Sequence, residues 1–218
     1  MQLKSYQGTN DLPTDRKAIS GYELMWMKTQ GCYYEFGFRE TIRRIAKEIL
    51  RPVRAPINGL DISIITERLA IGAAPKTVNA VQRLISFGLS QVIDLRAERK
   101  NTDILVTTNG IRVSWVPTYD DWQAKSFEFF EELQNALISV LKNDHRKLLI
   151  CCGAGEHRAP LAGVLALVMM GYPLNTAMVM IQRARSVAEL LPVYISSLKQ
   201  FLESTNQESR NGFIGSIG

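Results

Sequence analysis

The stretch from Lys147 to Met170 limits what this chain can fold into more than any other. Lys147 to Cys151 is apolar after its first residue and too short for a helix, so it reads as a buried strand. Ala159 to Met170 is apolar and long enough for a buried helix. The residues between them, Cys152-Gly-Ala-Gly-Glu-His-Arg158, must then turn at a helix N-terminus. Unpaired backbone N–H groups converge at such a place, and the positive end of the helix dipole favours both an anion and a cysteine thiolate. Gly153 and Gly155 let the loop curl tightly, so the backbone of Gly153, Ala154, Gly155, Glu156 and His157 can wrap a phosphate dianion. Arg158 can grip two phosphoryl oxygens with its planar fork. Cys152 taken alone reads as a small buried hydrophobe. At the floor of an anion pocket it reads as a sulfur nucleophile.

Elsewhere the apolar pattern predicts strands at Ile62–Ile65, Arg68–Ile71, Gln91–Leu95 and Ile111–Val116. A helix is expected at Lys76–Phe87, and an amphipathic one carries Phe127, Phe130, Leu133, Leu137 and Leu141 on one face. Three helices follow the loop and end near Leu202. Strands alternating with helices predict an α/β fold: a central mixed, mostly parallel sheet flanked by helices, with an N-terminal helical extension and the site at the carboxyl ends of the strands. The expected divisions are an extension at 1–55, a catalytic domain at 56–204 and a flexible tail at 205–218.

The segment Cys152 to Arg158 resembles the signature loop of the cysteine-dependent protein tyrosine phosphatases, written H-C-x-x-G-x-x-R-[S/T]. Residues 57–203 are similar to the dual-specificity branch of that superfamily along almost their whole length. Supporting matches are Thr66-Glu-Arg-Leu-Ala-Ile-Gly72, Val92-Ile-Asp-Leu-Arg96 and Val116-Pro-Thr-Tyr-Asp120. The resemblance implies hydrolysis of phosphate monoesters, on phosphotyrosine, phosphoserine or phosphothreonine proteins, with Cys152 attacking phosphorus and Arg158 holding the equatorial oxygens. It also implies that no metal and no cofactor take part.

A phosphate ester leaves badly as an alkoxide or phenoxide, so a carboxylic acid on a facing loop is needed to protonate it. Asp120 and Asp121, after a strand and before a helix, are both candidates. In dual-specificity relatives the acid loop reads D-x-W, with a double aromatic nine and ten positions on. Asp120, Trp122, Phe129 and Phe130 fit that register, which favours Asp120. The bland alternative is a pair that makes a turn and caps the helix.

Two positions depart from the family pattern. Cys151 stands where relatives carry His, so the nucleophile is expected to be less ionised, and Cys151 becomes a candidate resolving sulfur for oxidised Cys152. Ala159 replaces the usual Ser or Thr, and Arg158-Ala-Pro160 resembles the phosphatases of regenerating liver and the plant glucan phosphatases. The first of these implies slow breakdown of the phosphoenzyme. Glu156 at the pocket mouth repels a highly charged phosphoinositide. His157 reads either as a local pH switch or as an inconsequential loop histidine, and His145 as surface.

Residues 1–55 carry ten Lys or Arg against six Asp or Glu, most of the chain's net charge of +5. Within them Phe38, Ile42, Ile45, Ile49 and Leu50 recur at helical spacing opposite Arg39, Arg43, Arg44, Lys47 and Arg51. Such a helix either packs on the core or makes peripheral contact with an anionic membrane through residues 38–51. Three cysteines without framework spacing, and no charged-then-apolar leader, predict a cytoplasmic setting. No nucleic-acid partner is expected. Two further readings stay open: a phospholipid-directed phosphatase at a membrane surface, and a weakly active phosphate-binding adaptor, suggested by Cys151 and Ala159.

Overall fold

The computed structural model of the protein describes residues 21–49, 60–99, 103–142 and 146–214. The division expected at 55/56 and His145 lie outside them. In chain order the elements are α1 (Gly21–Ile49), β1 (Ile62–Ile64), β2 (Leu69–Ala73), α2 (Val78–Ser86), β3 (Leu89–Arg96) and α3 (Ile104–Thr107). They continue with β4 (Arg112–Thr118), α4 (Phe127–Leu141), β5 (Lys147–Cys152), α5 (Arg158–Met169), α6 (Leu174–Ala184) and α7 (Pro192–Ile214).

The strands form one sheet in the order β1-β2-β5-β3-β4. Only β1 runs antiparallel to its neighbour; the other pairs are parallel. This is the mixed, mostly parallel sheet expected from the sequence. β2, β5 and β3 are covered on both faces, which is why they read as apolar runs rather than alternating ones. Successive side chains of β5 still divide between the faces. Leu148, Ile150 and Cys152 join the core under α4 to α7, while Leu149 and Cys151 join a smaller one with Val81, Leu84 and Leu105.

That division bears on Cys151. Its thiol points to the face opposite Cys152, and burial pushes its pKa well up. Neighbours on a strand cannot bring their sulfurs together without turning the strand over, so this geometry opposes a resolving role for Cys151. The helix cap also differs from the bland expectation for the aspartates. Ser126 caps α4, its Oγ accepting from the Phe129 N–H at 3.3 Å, and the aspartates sit upstream.

α1 packs on the core, through Ile45 of the stripe read from the sequence but not through the whole of it. Phe38 and Ile42 are exposed, whereas Lys28, Cys32 and Thr41 are buried. Thr41 takes the inward place instead, its hydroxyl donating to the Gly37 carbonyl at 2.8 Å, just after Gly37 breaks the helix with φ 76° and ψ 176°. α7 runs to Ile214, beyond the Leu202 at which the sequence reading ends it; no Pro or Gly interrupts Glu203 to Asn211. Among the described residues no helix is long and apolar enough to cross a membrane.

Phe130 is fully buried and stacks on Phe201 with ring centroids 5.2 Å apart. Phe130→Ala is expected to cost about 3–5 kcal/mol, the usual range for emptying such a site. Urea unfolding should show a lower midpoint at an unchanged slope.

Candidate active site

β2, β5, β3 and β4 all end at one edge of the sheet, so Ala73, Cys152, Arg96 and Thr118 lie along the same rim. Ligand sites of parallel sheets form at this rim. Here the loop 153–157 leaves β5 and enters α5, whose N-cap residue His157 makes no side-chain capping bond. The first amides of the helix therefore remain without a side-chain acceptor.

Anchors outside the loop decide which way its peptide groups face. Arg185, buried at the end of α6, donates from Nη2 to the Ala154 carbonyl at 2.9 Å and from Nε to the Gly155 carbonyl at 2.5 Å. The Glu189 N–H donates to the Glu156 carbonyl at 2.8 Å. In a trans peptide the N–H points opposite to the C=O. Three consecutive carbonyls held outward thus turn the amides of Gly155, Glu156 and His157 inward. The Gly155 amide lies 3.2 Å from Cys152 Sγ and donates to it. Gly155 itself has φ 69°, and a Cβ there would lie 2.4 Å from the Gly72 carbonyl carbon, so only glycine fits.

Arg158 is buried, and Glu98 grips the end of its guanidinium, Nη1 and Nη2 each lying 2.8 Å from a carboxylate oxygen. The Thr118 carbonyl accepts from Nη1 at 3.0 Å. Nε is buried without a partner. An added Cβ on Gly153 would sit 3.3 Å from Nη2, so the guanidinium lies against the loop. The unpartnered Nε–H edge suits a second, bidentate anion. Glu98 is itself positioned by a pinned turn: Asp94 and Asp103 pair with Arg96, and the Arg96 carbonyl accepts from Trp115 Nε1 at 2.8 Å.

Asp120 is buried between two cations. His157 Nδ1 lies 3.1 Å from Oδ1 and Lys28 Nζ 3.2 Å from Oδ2. These charges hold the Asp120 carboxyl well below the usual carboxylate range, against the opposing effect of burial. Burial works against protonated His157 too, but Asp120, with Glu189 at 3.7 Å, raises its pKa to about 9. The two shifts are one ion pair seen from its two ends. His157 is therefore neither an exposed loop residue nor a switch near neutrality. Asp121 instead pairs with Lys125 at 2.5 Å and lines a cavity of about 450 Å³ with Thr118 and Tyr119. The loop bearing both aspartates is tied to α7: Trp122 adopts φ 57°, and its N–H donates to the Tyr194 hydroxyl at 3.1 Å.

The structure thus gathers Cys152, the loop, Arg158 and Asp120 at one rim. Sequence reasoning missed Arg185, Glu98, Glu189 and Lys28, which contact the loop or its partners from distant elements; no local pattern marks them. The larger cavity, about 640 Å³, lies at the opposite end of the sheet, between Ile62, Arg68, Phe87 and Lys147. Among the described residues no cluster of His, Cys, Asp or Glu could hold a metal ion.

No protein-family model and no curated protein matches this sequence. Solved structures do. Human DUSP28 aligns with a TM-score of 0.57 at 21% identity, over 67% of this chain and 96% of that one. PTPMT1 in complex with PI(5)P aligns at 0.58 and 20% identity, over 68% and 98%. Tk-PTP in its active form aligns at 0.54 and 25% identity, over 66% and 97%. The chain has the fold of the cysteine-dependent protein tyrosine phosphatases, in the dual-specificity form.

The His157–Asp120 pair predicts how stability varies with pH. The His157 contribution is complete below its unfolded value of 6.5 and disappears as pH rises through about 9. The Asp120 contribution is present above its unfolded value of 3.8 and disappears as pH falls below it. Thermal unfolding should therefore show a midpoint that declines from pH 6.5 to 9, and His157→Gln should flatten that alkaline decline.

Proposed function

We propose that this chain is a phosphatase that hydrolyses phosphate monoesters on phosphoproteins through a phosphocysteine intermediate. One observation carries the reading: a sulfur beneath three inward-turned amides, with the unpartnered Nε edge of Arg158 beside them. The fold shared with DUSP28, PTPMT1 and Tk-PTP supports it.

In the first step the Cys152 thiolate attacks phosphorus. The S–P bond forms while the ester P–O bond breaks, its electron pair staying on the leaving oxygen. The amides of residues 155–157 and Arg158 stabilise charge on the equatorial oxygens, and they are in place before reaction because Arg185, Glu189 and Glu98 hold them. Asp120 is the group assigned to protonate the leaving oxygen and then to take a proton from water. Water forms the new P–O bond in the second step, the S–P bond breaks, and inorganic phosphate leaves. Ala159, fully buried in the first turn of α5, offers no hydroxyl to the departing thiolate.

A phosphate-binding adaptor with little turnover is the second reading. It is favoured by Cys151 and Ala159, which stand where a His and a hydroxyl residue would assist turnover. Turnover of an aryl phosphate separates the two.

Cys152→Ser should abolish hydrolysis of p-nitrophenyl phosphate while phosphate binding persists, because an alcohol is far less ionised than a thiol. Arg158→Lys should lose about a hundredfold or more in kcat, since an ammonium can make neither the Glu98 contact nor the bidentate anion contact. Undiminished turnover in either variant contradicts the mechanism.

Rapid mixing of the native protein with the same ester should give a burst of product and then a slower steady rate, since dephosphorylation lacks the hydroxyl. Ala159→Ser should raise the steady rate without enlarging the burst. A linear time course in both proteins would show that the first step limits.

A further inference from the structure

Three separate contacts build α1 into the site. Lys28 buries its ammonium against Asp120. Gly31, one turn on, presses against the acid loop so closely that a Cβ would lie 2.1 Å from the Asp121 carbonyl oxygen. Arg44 lies over the Phe36 ring and pairs with Glu189, the residue whose N–H anchors the Glu156 carbonyl. Burying an ammonium is costly, and a helix that merely covered the core would keep its lysine in water. This lysine reaches inward to a carboxylate that His157 already holds.

Sharing between two cations has a chemical consequence. A carboxylate so placed keeps its charge, whereas protonation of a leaving oxygen needs the acid form. Acidic phenols leave as anions without help. Ordinary phenols such as tyrosine need some help, and alcohols need far more.

We infer that Lys28 is a specificity-determining residue: by sharing the Asp120 carboxylate with His157, it biases the site toward aryl phosphates, whose phenols leave more easily, and against alkyl phosphates such as phosphoserine. This rests on the phosphatase reading above. In the favoured reaction S–P forms, P–O breaks with its electron pair on the phenolic oxygen, and that oxygen takes its proton from water after departure. The charged and titratable groups around Asp120 are Lys28 from α1, Glu98 after β3, Lys125 in the same loop, His157 and Arg158 at the start of α5, and Tyr194 from α7. Of these, Lys28 contacts the carboxylate directly from outside the central α/β unit.

The test uses the full chain as wild type, Lys28→Met and Gly31→Ala. Lys28→Met removes the cation and keeps an unbranched apolar chain; Gly31→Ala wedges α1 away from the loop. The two act by different physics, so one remains informative should the other fail to fold. kcat/KM is measured for p-nitrophenyl phosphate, phenyl phosphate and a phosphoserine peptide. Relative to each variant's own rate on the first ester, kcat/KM should rise about fivefold or more on the second and further still on the phosphoserine peptide, because a less clamped carboxyl is more often protonated. The limb of the pH profile belonging to Asp120 should move to higher pH.

A second measurement needs no turnover. The chain has two histidines, so the ring-proton NMR signal of His157 is assigned with His157→Gln. Its titration midpoint should rise further in Lys28→Met, since Lys28 opposes its protonation. An unmoved midpoint shows that the shared carboxylate does not form in solution and overturns the inference. Unchanged leaving-group dependence in both variants also overturns it, leaving the phosphatase reading intact. No hydrolysis of p-nitrophenyl phosphate by the wild type sinks the phosphatase reading and the inference with it.

Discussion

A buried guanidinium must have acceptors, and Arg185 finds them in the carbonyls of Ala154 and Gly155 and the carboxylate of Asp61. That satisfaction turns the intervening amides toward Cys152. The same residue ties the loop to the segment before β1, so the far edge of the sheet helps hold the loop open. Removing an acceptor from such a buried guanidinium costs about 1–3 kcal/mol. The anion-facing geometry therefore has its origin outside the loop, in a side chain thirty residues downstream of Gly155.

The charges around the loop form an alternating series. Arg44 meets Glu189, Glu189 approaches His157, His157 meets Asp120, and Asp120 meets Lys28. It begins and ends on α1. In a low-dielectric setting each charge is tolerable only because its neighbour has the opposite sign. The N-terminal helix is thus joined electrostatically to both the 153–157 loop and the loop bearing Asp120. Arg158 is handled differently: Glu98 and the Thr118 carbonyl hold one edge, and the other faces the loop.

The sheet and its central helix were legible because their signals are local. β5 and α5 announce themselves by apolar runs of different length, and Gly153 and Gly155 mark the turn between them. Cys152 and Arg158 fall out of that turn with no need of tertiary information. The inward face of α1 was not legible from the apolar spacing of residues 38–50, since Phe38 and Ile42 of that stripe face water. Its inward side also carries Lys28 and Thr41, which no apolar pattern would select. Asp120 was legible as a site residue, but the charge it bears was not.

Spacing along the chain determined that Cys152, the glycine-bearing loop and Arg158 share one strand-to-helix turn, since residues this close have few ways to be arranged. It also determined the order of strands and helices that puts this turn at the carboxyl edge of a parallel sheet. Tertiary structure alone decided the electrostatic state of the site. Lys28, Glu98, Arg185 and Glu189 come from four separate elements, and long-range contacts leave no period or motif in a single sequence. Whether a carboxylate stays ionised depends on which charges lie within a few ångströms of it in space, and only the folded chain brings them there.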